Sequence, residues 1–153
     1  GEQCMILNGE DVSREIRQPE ISICASDVSA LPCVRAFLLE MQRKTAQVSN
    51  VIMDGRDIGS VVLPQAELKI YLTASPEARA ERRMKELQAK GMTQDFESVL
   101  ADIRYRDDQD MNREIAPLRE TEDSVRVDTT GFDAEQSFEL LCGIIESKLG
   151  ICS

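Results

Sequence analysis

Val51-Ile52-Met53-Asp54-Gly55-Arg56-Asp57-Ile58-Gly59-Ser60-Val61-Val62-Leu63-Pro64 reads as a short apolar strand running into a glycine-punctuated loop that carries two carboxylates and an arginine. In α/β proteins, loops of this kind at the carboxyl end of a parallel strand are where ligands bind. Two further strand-like runs follow, over residues 68–73 and 125–127, each separated from the one before by loop and helix material. That alternation predicts parallel strands joined by crossover helices, an α/β fold. Ser75-Pro76 sets a cap residue ahead of a proline suited to the first helical position, so a helix is predicted over 76–90, stopped by Gly91. A second helix is predicted from about 95 to 112. A third runs from Asp133, with Gln136 as its capping-box partner, to Gly150. Upstream, residues 4–7 are strand-like and meet the tight-turn dipeptide Asn8-Gly9. Residues 10–30 are polar and Ser-rich, and Pro32 opens a periodic helical segment over 34–44. Three strands make a thin parallel sheet, and parallel sheets are normally covered on both faces, so part of the sheet is expected to lie outside this sequence.

Composition narrows the chemistry. The chain has 153 residues, room for one domain with at most a small appendage. Lys plus Arg total 18 against 28 Asp plus Glu, a formal charge of −10, which disfavours nucleic acid and anionic membranes as partners. With no histidine, imidazole acid–base catalysis is excluded. Cys4, Cys24, Cys33, Cys142 and Cys152 are scattered without metal-ligand spacing, and read as buried or incidental thiols of a reducing compartment. No apolar run approaches the roughly 20 residues of a membrane span, and no signal-peptide pattern opens the sequence. A cytoplasmic location is expected.

Charge placement marks the candidate site. On a helix over 95–113 at about 100° per residue, Phe96, Val99 and Ile103 form an inward stripe that continues through Arg106, Asp110 and Arg113. Charged groups on an inward stripe need partners or a polar cleft, so this half-helix either lines an anion site or projects into solvent with Arg106 and Asp110 as an i,i+4 pair. Arg79, Arg82 and Arg83 share a face by their spacing. Their guanidinium forks suit phosphate, while the alternative is a solvated face paired locally with Glu77, Glu81 and Glu86. In the opening loop, Asp54 is placed to hold a magnesium-bound water and Arg56 to reach a phosphate. Asp57 is suited to accept from an exocyclic amine, or alternatively caps its own turn. Arg35, read by itself, is an ordinary surface helix residue.

The loop from Asp54 to Pro64 closely resembles that of bacterial cytidylate kinases, the CMP/dCMP kinases. Arg106-Asp107-Asp108-Gln109-Asp110-Met111-Asn112-Arg113 resembles the family's Arg-Asp-x-x-Asp-x-x-Arg run. Ala-Arg-Ala-Glu-Arg-Arg-Met at 78–84 resembles its lid, and Pro32-Cys33-Val34-Arg35 its Pro-x-Val-Arg run. The resemblance extends from Asn8-Gly9 to the Asp128-Thr129-Thr130 turn. It implies a P-loop nucleoside monophosphate kinase-like parallel sheet with helices, N-terminally truncated. Residues 1–30 would be part of the monophosphate-binding insert, and 31–153 the core α/β domain with a lid at about 76–113. The implied activity is transfer of the ATP γ-phosphoryl group to CMP or dCMP, with Mg2+ accompanying ATP. Arg35 and Asp57, assisted by Ser26, would read the base. Arg106 and Asp110 would bind the pentose hydroxyls, and Arg56 and Arg113 the phosphate. Arg82 and Arg83 would close over the triphosphate, and Asp54 would hold the metal through water. The departures are Ser60 where threonine is common, Cys33 where a basic residue is frequent, and the lack of any Gly-x-x-x-x-Gly-Lys-[Ser/Thr] loop. The chain alone is therefore expected to be inactive, and to self-associate or be complemented by an N-terminal segment. The alternatives are a non-catalytic nucleotide-binding fragment, or an acidic helical interaction module docking partners through residues 79–83.

Overall fold

The computed structural model describes residues 4–17, 21, 24, 25, 28, 31–89 and 91–150. They belong to two compact units, Gly1–Val51 and Ile52–Ser153. In the first unit, strands β1 (Ile6–Leu7) and β2 (Glu10–Asp11) form an antiparallel hairpin with Ile6 opposite Asp11 and Leu7 opposite Glu10. Its turn places Asn8 at φ 53° and Gly9 at φ 90°. Two successive left-handed residues are what a two-residue hairpin demands, and Asn-Gly meets that demand at least steric cost. A 3-10 turn (Glu15–Arg17) follows, then helix α1 (Pro32–Val48), which opens on its proline as predicted. Among the described residues this unit has no buried side chain.

The second unit holds the core. Strands β3 (Ile70–Thr73) and β4 (Val125–Asp128) pair in parallel, with Ile70 opposite Val125 and Thr73 opposite Asp128. Between them the chain runs through α2 (Pro76–Ala89) and α3 (Phe96–Asn112). These two helices pack as an antiparallel hairpin on Ala80, Leu87, Val99 and Leu100, flanked by Met84, Phe96 and Ile103. Ala80 is fully buried, and its small side chain lets the helices approach closely.

Each helix end has a local cause. Ser75 Oγ accepts from the Ala78 N–H at 3.2 Å to open α2. A Schellman closure ends it: Met92 N–H bonds Leu87 C=O, Gly91 N–H bonds Gln88 C=O, and Gly91 stands at φ 72°. Asp95 caps α3 by accepting from Ser98 N–H at 3.1 Å. Helix α4 (Ala134–Leu149) begins with the predicted box: Gln136 N–H donates to Asp133 and the Gln136 side chain accepts from Asp133 N–H, at 2.8 and 3.0 Å. It ends on left-handed Gly150.

One expected strand is absent. Residues 51–53 are irregular, pair with no described strand, and leave Ile52 95% exposed, so the parallel sheet has two strands among the described residues rather than three. A three-residue apolar run has too little pairing energy of its own. It becomes a strand only where a neighbour supplies the ladder.

Candidate functional site

The carboxyl ends of β3 and β4 are stitched together. Thr129 N–H donates to Thr73 C=O at 2.9 Å, Ser75 N–H donates to Thr130 Oγ1 at 2.9 Å, and Thr130 N–H donates to Asp128 at 2.8 Å. The Thr130 hydrogen bonds lower the Asp128 pKa below its ordinary value. Above this rim lies a cleft of about 670 Å³ whose lining includes Asp54, Arg56, Arg82, Asp107, Arg119 and Thr130.

The opening loop forms one wall. It folds into a single π-type turn, Ile58–Val62, anchored by the Asp57 carbonyl, which accepts from the Val61 and Val62 N–H groups at 2.8 and 3.2 Å. Such turns are rare and often mark functional sites. The Asp57 side chain makes no N-cap hydrogen bond to this turn. Gly55 is required by space, since a Cβ there would lie 2.9 Å from Ile58 Cγ1. Beneath Gly59 runs Lys69, whose side chain is 7% exposed and donates to Asp123 at 2.6 Å. That bond lowers the Asp123 pKa.

Helix α3 supplies the opposing wall. Arg56 Nε donates to Asp110 Oδ2 at 2.7 Å, joining loop to helix across 54 residues of sequence. Arg113 Nε donates to Ala116 C=O at 2.6 Å, while its terminal nitrogens stand 4.0 Å from Asp57 and 3.9 Å from Asp110. Those distances are ion-pair range but beyond hydrogen-bond reach. Ala116 takes φ 51°, a left-handed conformation that costs a non-glycine residue about 1–2 kcal/mol. It is the carbonyl of this strained residue that receives Arg113.

Arg56, Asp57, Asp110 and Arg113, all singled out in the sequence, therefore converge. Other predicted residues are placed differently. The inward stripe of α3 passes from Ile103 through half-buried Asp107 to Asp110, and Arg106 is exposed. At about 100° per residue Asp107 lies closer than Arg106 to the line through Phe96 and Ile103, so the stripe passes through Asp107. The expected Arg106–Asp110 pair gives way to the Arg56–Asp110 bond. The arginines of α2 also diverge. Arg79 binds Asp107 through both terminal nitrogens, at 2.8 and 2.5 Å. Arg82 donates to the carbonyls of Thr129 and Phe132. Arg83 points to solvent and pairs with Glu86 at 3.2 Å. Asp54 is exposed on the cleft lining. Arg35 lies half-buried on α1 of the first unit, and Ser26 lies outside the described residues.

The sequence reading gave Asp107 no role. Its signal was the spacing Phe96, Leu100, Ile103, Asp107, Asp110, an alternation of four and three that puts both carboxylates on the core seam. Among the described residues no group of three His, Cys, Asp or Glu side chains is arranged to hold a metal ion. Nor is any helix of those residues long and apolar enough to cross a membrane. Cys4, Cys24 and Cys33 are exposed free thiols rather than buried ones.

Fold and site together define an α/β protein with a polar, arginine-lined cleft at the carboxyl ends of parallel strands. The chain belongs to the cytidylate kinase family, of P-loop nucleoside monophosphate kinase fold: the family model described as Cytidylate kinase matches residues 1–147. A cytidylate kinase of Caldicellulosiruptor bescii is 52% identical over 136 residues, covering 89% of this chain and 60% of that protein. One from Carboxydothermus hydrogenoformans is 50% identical over 146 residues, covering 95% and 66%. One from Vibrio cholerae serotype O1 is 50% identical over 145 residues, covering 95% and 64%. The chain thus spans 60% to 66% of the length of these curated relatives.

Proposed function

We propose that this chain forms the cytidine-monophosphate site and the lid of a kinase that transfers the γ-phosphoryl group of ATP to CMP or dCMP. The observation that carries the reading is the convergence of Arg56, Asp57, Asp110 and Arg113 on one polar wall. The carboxylates of Asp57 and Asp110 are acceptors, suited to an exocyclic amine and to pentose hydroxyls. The guanidiniums of Arg56 and Arg113 are planar donors suited to a phosphate. Arg35 and Ser26 join the base-reading set, and Arg106 the pentose set, on the strength of the family pattern. Arg82 and Arg83 serve as lid arginines, and for Arg82 this requires releasing the carbonyls of Thr129 and Phe132. Residues 1–30 belong to the monophosphate-binding insert, and 31–153 to the core with its lid.

Phosphoryl transfer needs charge neutralisation and positioning more than a protein base, which suits a chain without histidine. Mg2+ bound with ATP would supply neutralisation of the β- and γ-phosphates. A lone carboxylate such as Asp54, acting through water, fits a metal held chiefly by phosphate oxygens rather than by a protein cage. The four described thiols are free, in keeping with a reducing cytoplasm.

Isothermal calorimetry with CMP, UMP, cytidine and ATP tests this. Heat with CMP, and less with UMP or cytidine, is the expected result. Equal affinity for CMP and UMP would remove the base assignment. A second reading, nucleotide binding without catalysis, is favoured for the chain by itself because no Gly-x-x-x-x-Gly-Lys-[Ser/Thr] loop occurs in it. CMP heat without ATP heat or phosphoryl transfer is its signature.

A further inference from the structure

Arg79 is the most completely occupied guanidinium in the second unit. Its Nη1 and Nη2 grip both oxygens of Asp107, at 2.8 and 2.5 Å, and its Nε donates to Ala74 C=O at 3.1 Å. Ala74 directly follows β3, Arg79 sits in the first turn of α2, and Asp107 lies in the charged half of α3. One side chain therefore ties the end of a strand, the base of one lid helix and the site-bearing end of the other. The neighbouring ion pair runs with opposite polarity, Arg104 of α3 donating to Glu77 of α2 at 2.7 Å. The two pairs adjoin Ala80 and Ile103, the members of the core cluster at this end, and add polar contacts that fix the axial register of the helices there.

Register matters because Asp107 and Asp110 are three residues apart on one face of α3. Sliding or rotating the helix at Asp107 carries Asp110 away from Arg56 and moves Arg113, which begins the next segment. We propose that Arg79 and Asp107 form a positioning clamp, acting through α3 to place Asp110 against Arg56 and to hold Arg113 beside Asp57 and Asp110. Arg79 is thus a positioning residue and does not touch phosphate, in contrast to what its spacing with Arg82 and Arg83 implied. The consequence for ligand binding rests on the CMP-site reading above. The consequence for the Arg56–Asp110 bond does not.

The test reads that bond directly. Hydrogen exchange of the Arg56 Nε–H, followed by 15N NMR on the 153-residue chain, is measured for wild type, Arg79→Gln, Asp107→Asn and the charge swap Arg79→Asp/Asp107→Arg. Several-fold loss of protection in each single variant, recovered at least in part by the swap, is expected. Unchanged Arg56 protection in a single variant whose melting temperature has fallen would overturn the proposal, because the pair would then be merely stabilising. If the swap does not fold, Arg79→Lys decides instead. It keeps the charge without the fork, so intermediate protection supports the clamp and full protection overturns it. CMP titration of the same variants separates the two claims. Loss of Arg56 protection in variants of a wild type that binds no CMP would retain the clamp and remove the ligand assignment.

Discussion

At the residue scale, the cleft matches opposed donors and acceptors, and each match has its own ligand probe. Asp57 stands at the start of the π-type turn, 4.0 Å from Arg113. If its carboxylate reads the cytosine amine, Asp57→Ala leaves the amine unpaired and weakens CMP by about 1–3 kcal/mol while UMP changes little. Titrations of both nucleotides check this, and equal losses would show that Asp57 does not read the amine. Arg113 is held by its inner nitrogen on Ala116 C=O, with its outer nitrogens just beyond hydrogen-bond distance of Asp57 and Asp110. Arg113→Ala should therefore lower CMP affinity and leave cytidine affinity nearly unchanged, since only the nucleotide carries the phosphate. Parallel loss of both ligands would point to a disturbed helix end instead. The Ala116 carbonyl that receives that inner nitrogen belongs to a residue in the left-handed region, at φ 51°.

At the element scale, electrostatics and capping decide which segments hold. The Arg79 hydrogen bonds lower the Asp107 pKa below its ordinary 3.8, and the same pairing raises the pKa of Arg79. A carboxylate depressed in the folded state contributes stability that is fully present above its unfolded value and is lost as pH falls through the folded one. Asp107→Asn should therefore lower the melting temperature at neutral pH, and its deficit against wild type should shrink as pH falls below the ordinary carboxylate value and the wild-type group takes up its proton. A thermal denaturation series across pH 2 to 7 measures that narrowing. The Asp133 box of α4 is worth about 1 kcal/mol, so Asp133→Ala should cost roughly 2–4 °C of melting temperature by calorimetry. Helix ends such as these were legible in the sequence because Ser-Pro, Asp-x-x-Gln and terminal glycines act through their own backbone neighbours. The Asn8-Gly9 hairpin turn was legible for the same reason. Residues 51–53 were not, since an apolar triplet becomes a strand only through a ladder partner that local sequence does not contain. The site was half legible. Arg56, Asp57, Asp110 and Arg113 do meet, but Asp107 rather than Arg106 stands on the inward seam of α3. The spacing Phe96, Leu100, Ile103, Asp107, Asp110 carries that placement in the sequence, while the Arg79–Asp107 and Arg56–Asp110 pairs that hold it are contacts between elements.

At the scale of the whole molecule, two parallel strands carry a cleft that a larger sheet would normally flank. Leu72 of β3 is 54% exposed, so apolar surface that parallel sheets usually bury remains open in the second unit, and Ile52, outside the sheet, is 95% exposed. The chain covers 60% to 66% of its relatives, and none of its residues form a Gly-rich lysine loop. Such a loop offers backbone N–H groups and a lysine to the β- and γ-phosphates, donors that the lid role proposed for Arg82 and Arg83 would not replace. The chain by itself should bind CMP yet show no measurable phosphoryl transfer from ATP. Supplying a segment with an apolar strand, the Gly-rich lysine loop and its helix, in cis or as a separate peptide, should raise the melting temperature, because exposed sheet surface gains cover. The same addition should restore transfer, because the triphosphate gains its donors. A coupled assay and a melting curve on the two preparations distinguish the two effects. A higher melting temperature without turnover would mean that the segment completes the sheet but not the triphosphate site. Turnover by the unsupplemented chain would overturn the reading, since it requires donors for the β- and γ-phosphates that no motif in the sequence provides.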